Sequence, residues 1–96
     1  MTHKLFLSVD GENCQLLLDG QKHLGAADCA WALCRLQPER CEKDQLPQLQ
    51  QYGEQLYQLL ERLEPDPDGD TLAYQRWCEQ LDELEELLED CQELLD

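Results

Sequence analysis

Thr71-Leu-Ala-Tyr-Gln-Arg-Trp-Cys-Glu-Gln-Leu-Asp-Glu-Leu-Glu-Glu-Leu-Leu-Glu-Asp-Cys-Gln-Glu-Leu-Leu-Asp96 is the stretch whose reading decides the fold. Tyr74, Trp77, Leu81, Leu84, Leu88, Cys91 and Leu95 recur in it at alternating steps of three and four, the heptad seam of one long helix over about 71–95. Leu87 and Leu94 widen the seam towards the stripe of a helix packed in a globular core. Glu79, Asp82, Glu83, Glu85, Glu86, Glu89, Asp90 and Glu93 take the remaining surface. One side must be buried, and the other is almost purely anionic.

Immediately upstream, Glu64-Pro-Asp-Pro-Asp-Gly-Asp70 is a stop and a turn, with Asp70 or Asp68 available to cap the helix that follows. Before it, Leu49, Tyr52, Leu56, Leu59 and Leu63 keep heptad spacing with Leu60 alongside, which predicts a helix over about 46–64. Pro47 fits its first turn. Gly53 weakens its middle by about 1 kcal/mol relative to alanine, which fits either a close neighbour there or simply a tolerated cost. Two such helices on so short a linker fold back as an antiparallel hairpin.

Leu24 to Leu36 is apolar on nearly every side and rich in small residues, which predicts a short buried helix over about 25–36, ended by Pro38. Glu39 to Asp44 is polar and fits a helical turn or a loop. Towards the start, Lys4–Val9 and Cys14–Leu18 flank Asp10-Gly11-Glu12-Asn13 and read as a β-hairpin over 4–18. Asp19-Gly20 is the next turn, leading through Gln21, Lys22 and His23 as either a short third strand or a loop. A lone hairpin is barely stable, so its apolar face must lie on the helices. The expected fold is therefore α+β and mostly α, one domain over 1–96, with a core of Leu5, Leu7, Trp31, Leu33, Leu56, Leu59, Trp77, Leu81, Leu84 and Leu88.

Charge narrows the function. The chain has 96 residues, 22 of them acidic and seven basic, for a formal charge of −15. Direct binding to nucleic acid or to an anionic membrane surface is disfavoured, and basic protein partners are favoured. No apolar run approaches the ~20 residues that span a bilayer. Six cysteines could mark a secreted disulfide scaffold, but the apolar core of Met1–Asp10 is too short for a signal peptide, so a reducing cytoplasm is the expectation. A homodimer is also expected, through the wide helical seam or the open edges of the hairpin.

Four constellations carry residue types that could form a site. Asp66, Asp68 and Asp70 alternate around Gly69, but no register puts both the glycine and the closing glutamate of a calcium loop in place, so a capping turn is expected. His23, Cys29, Cys34 and Cys41 lack zinc spacing: on a helix Cys29 and Cys34 point about 140° apart. Buried cysteines behave as small hydrophobes, and no metal or cofactor is expected. Pairing Cys14 with His3 or His23 supplies the elements of a nucleophile and base, yet no motif positions them, and no enzyme is expected. There remain Glu79, Asp82, Glu83, Glu86, Asp90 and Glu93, recurring every three or four residues. They are the candidate partner-binding residues, either tuning the approach of a protein or imitating a row of phosphates in a mimic that inhibits a DNA- or RNA-binding protein.

The opening Lys4-Leu-Phe-Leu-Ser-Val-Asp-Gly11, with Leu46-Pro47 leading into Tyr52, Leu56, Tyr57 and Leu60, resembles the N-terminal region of bacterial, especially cyanobacterial, proteins that carry a caspase-like CHAT protease further along. In that family a tryptophan is expected inside the second helix, whereas this chain has Gln55 near that place and its tryptophans at Trp31 and Trp77. The resemblance implies an accessory recognition or adaptor domain without protease residues of its own. Together the residues and the resemblance point to a small acidic, non-enzymatic protein-interaction domain, binding through its helical seam or its hairpin edge.

Overall fold

Two-residue periodicity at the start of the chain does produce strands. The computed structural model describes residues 3–96, and in it β1 (Leu5–Asp10), β2 (Asn13–Leu18) and β3 (Gln21–Leu24) form an antiparallel sheet in the order β1-β2-β3. Of the two continuations open at Gln21–His23, the strand is the one formed. Register places Leu5, Leu7 and Val9 opposite Leu18, Leu16 and Cys14 on one face, and Phe6 opposite Leu17 on the other. In the second turn Asp19 and Gly20 both have positive φ, 50° and 88°, the pairing a two-residue type I′ turn requires. The Asp19 carboxylate accepts from the Lys4 N–H and from His3 Nδ1, each at 2.8 Å, which ties the turn to the start of β1.

Next come α1 (Ala26–Cys34), two 3-10 turns (Pro38–Arg40 and Lys43–Gln45), α2 (Leu46–Arg62) and α3 (Thr71–Leu95). The joint of the molecule is α1, which packs on β2 and β3 on one side and on α2 and α3 on the other. Close approach from two sides demands small side chains, and Ala26, Cys29, Ala30 and Ala32 are buried there with Leu33. Trp31, expected in the core, is instead 49% exposed. An indole does not fit between two layers spaced by alanine and cysteine. It lies on the outer side of α1, with the Arg35 guanidinium 4.6 Å from its ring centroid.

Between α2 and α3 the expected antiparallel hairpin forms, burying Leu49, Leu56, Leu59 and Leu60 against Leu84, Leu87 and Cys91. Within the seam only Leu84 and Cys91 are buried outright, whereas Leu81, Leu88, Trp77 and Leu95 are half-buried. Leu87, beside the seam in sequence, is buried because α3 also packs against α1 and the Pro38 turn. Its face is therefore rotated away from a strict heptad line. A Cβ on Gly53 would stand 3.0 Å from Leu88 Cδ2, so of the two readings of this glycine the close neighbour is the one present. Asp70 caps α3 by accepting from the N–H groups of Leu72 (3.0 Å) and Ala73 (3.3 Å), satisfying donors the first turn leaves open.

Candidate functional site

The carboxylates of α3 are where the periodicity puts them. Glu79, Asp82, Glu83, Glu86, Asp90 and Glu93 are all exposed, and at 3.6 residues per turn they fall within an arc of about 100°, turned from the Leu84–Cys91 face. Glu83, Glu86 and Asp90 form one wall of an open concavity of about 270 Å³, whose other wall is the chain from Cys34 to Glu39. Both α3 grooves on this side are strongly polar. A second involves Asp82, Glu85, Glu86 and Glu89.

A different surface carries the unburied apolar residues. Phe6 is 58% exposed and Leu24 62%, on the sheet face turned from the helices, where Leu17 stands directly opposite Phe6. Leu24 also borders a concavity of about 540 Å³, formed with Leu60, Leu63, Ala73 and Trp77 where the end of β3 meets the turn end of the helical hairpin. Trp77 is held there by its indole N–H, which donates to the Leu60 carbonyl at 2.7 Å near the end of α2. Arg76, the single cation of α3, stands on the same wall. None of the six carboxylates borders this concavity, although the sequence carries a signal of the exposed apolar face. Phe6 and Leu17 are apolar residues out of phase with the buried alternation of their strands, and Leu24 directly precedes Gly25.

Burial dominates the chemistry of the thiols on α1 and α3. Burial pushes the Cys29 and Cys34 thiols up to about 12, with neighbouring Cys14 adding to the shift of Cys29 and the Glu83 charge to that of Cys34. Cys91 is pushed up to about 11, again mainly by burial. Cys29 Sγ donates to the His23 main-chain carbonyl at 3.4 Å, not to its ring. His23 turns Nδ1 to Asp28 at 3.4 Å, and its Nε2 is buried without a hydrogen-bond partner among the described residues. His3 is engaged by Asp19. Among the described residues no three His, Cys, Asp or Glu side chains come together as metal ligands. In the Asp66–Asp70 turn, Asp66 accepts from the Asp68 N–H at 2.9 Å while Asp70 caps α3, so the acidic loop serves its own backbone.

Comparison with protein-family models, with curated proteins and with solved structures found no match for this chain. Among the described residues no helix is long and apolar enough to cross a membrane.

Proposed function

We propose that the chain is a non-enzymatic protein-interaction module, an adaptor or accessory domain that holds a protein partner at the apolar surface around Leu24. The observation that carries this reading is the Leu24–Trp77 concavity. It joins the end of the helical seam to the sheet, and its lining is mainly apolar. An apolar side chain of the partner entering it removes leucine and indole surface from water, worth about 25 cal/mol per Å². Arg76 on its wall suits a carboxylate beside that side chain. The acidic stripe then steers a partner with basic outlying surface and adds mainly to the on-rate. Six free cysteines suit a reducing, cytoplasmic setting, and the hairpin's resemblance to the region preceding CHAT proteases suits an accessory role.

The rival is nucleic-acid mimicry by the α3 stripe, which runs for about 21 Å along the helix from Glu79 to Glu93. The two readings separate in a pull-down from the native source at low and high salt. Alongside the parent, one variant carries Leu24→Ser and another Glu79→Gln, Glu83→Gln, Glu86→Gln and Asp90→Gln. The module predicts a partner lost with L24S and kept by the glutamine variant at high salt. A nucleic-acid-binding partner kept by L24S and lost from the glutamine variant would reverse the assignment.

A further inference from the structure

β1 is an edge strand with no strand on its outer side among the described residues, and its ladder shows which groups are free. The Asp19 N–H donates to the Lys4 carbonyl at 2.9 Å, so Lys4 and, by the two-residue alternation, Phe6, Ser8 and Asp10 bond to β2. The N–H and C=O groups of Leu5, Leu7 and Val9 therefore point outwards, with no hydrogen-bond partner among the described residues. The row is closed at one end only. The Gln45 side chain accepts from the His3 N–H at 3.1 Å and donates to the His3 carbonyl, standing in for a neighbouring strand. Past His3 the edge has no bulge and no proline, devices that usually protect such edges. The opposite edge, β3, is shorter and ends at the bend into α1.

We infer that this edge pairs with β1 of a second copy, antiparallel about a two-fold axis at Leu7, to make a continuous six-stranded sheet. Outward-facing groups on Leu5, Leu7 and Val9 restrict the register to odd residues opposite odd residues. Only pairing Leu7 with its symmetry mate uses all three, placing Leu5 opposite the second copy's Val9. That register also sets Lys4 opposite Asp10 at both ends, so the charges are complementary by symmetry. His3, already served by Gln45, falls opposite the turn at Gly11, where no strand pairing is needed. Helix α1 lies over β2 and β3, so β1 overhangs the helical layer and Val9 remains 39% exposed on the inner face. The pairing covers it. The Leu24 concavities lie at the two far edges of this sheet, so the dimer stands whatever occupies them.

Sedimentation equilibrium of the intact chain across a concentration series tests this, with three variants. The parent should show a reversible monomer–dimer equilibrium. V9P removes an outward N–H that β2 does not use, and a monomer with an unchanged circular dichroism spectrum is expected. K4D places like charges opposite each other at both ends and should weaken the dimer by about tenfold, while K4D/D10K restores the attraction and the affinity. A parent that stays at 11.2 kDa throughout, or a folded V9P variant that still dimerises like the parent, overturns the edge pairing. A double exchange that fails to restore what K4D loses overturns the register, and that comparison holds even if V9P does not fold.

Discussion

Leu84, Leu87 and Cys91 of α3 are buried, while Phe6, Val9, Leu17 and Leu24 of the sheet stand in solvent, although both regions look amphipathic in sequence. The helical hairpin uses its apolar stripe internally, since α2 and α3 cover each other and α1 covers part of what remains. The sheet is covered mainly by α1, over β2 and β3, so its outer face and its β1 side keep apolar residues to spare. A strong heptad seam therefore marks the core of this protein, and the weaker hairpin pattern marks the surface left for others.

The largest effect should come from the covered region. Leu84→Ala removes a fully buried leucine between α2 and α3, and a loss of about 2–5 kcal/mol is expected by denaturant unfolding. That approaches the whole stability of a small domain. A near-parental unfolding midpoint would mean that the seam is not core. Asp70→Ala leaves two N–H groups of α3 without their acceptor and should lose about 0.5–2 kcal/mol in the same assay. Gly53→Ala sets a helix-propensity gain of about 1 kcal/mol against a contact with the flexible end of Leu88, so a net change smaller than that gain is expected. A large loss would show α2 and α3 packed more rigidly than Leu88 allows.

Changes on the sheet should be smaller in stability and larger in association. Phe6→Ser should shift unfolding by no more than about 0.5 kcal/mol, as usual for an exposed position. The two regions also differ in pH response. Asp19 binds His3 and the Lys4 N–H, which holds its carboxyl below the usual carboxylate range. Its contribution is present above the unfolded value and lost as pH falls through the folded one, so Asp19→Asn should flatten the acid limb of the stability curve. Raised thiols act at the other limb: Cys29, Cys34 and Cys91 keep their protons when folded, so stability falls as pH rises above about 9, towards 12. Melting temperatures across pH 2–11 read both limbs.

Legibility followed the strength of the local pattern. The α3 span, an aspartate cap from Asp68 or Asp70 and the first hairpin each rest on one sequence signal, and each is present, with Asp70 as the cap. Trp31 failed because α1 is nine residues of mostly small side chains, in which periodicity distinguishes no polar side. Only its position between two layers decides that alanine faces in and tryptophan out. Leu81 and Leu88, expected in the core, are only half-buried because a third element shifts the buried arc of α3 towards Leu87. The six carboxylates were readable as a stripe, but the Leu24 concavity was not, because its walls come from β3, α2 and α3, which are distant in sequence.

The salt dependence of partner affinity tests the central claim most directly. With the captured partner purified, the dissociation constant is measured by calorimetry over a series of salt concentrations. Binding through the apolar surface around Leu24 predicts a nearly flat plot of log Kd against log salt, with only a shallow slope from the acidic stripe. A steep slope of several units, approaching the roughly 0.7–0.9 per contact that counterion release from neutralised phosphates produces, would contradict it and place the function on α3.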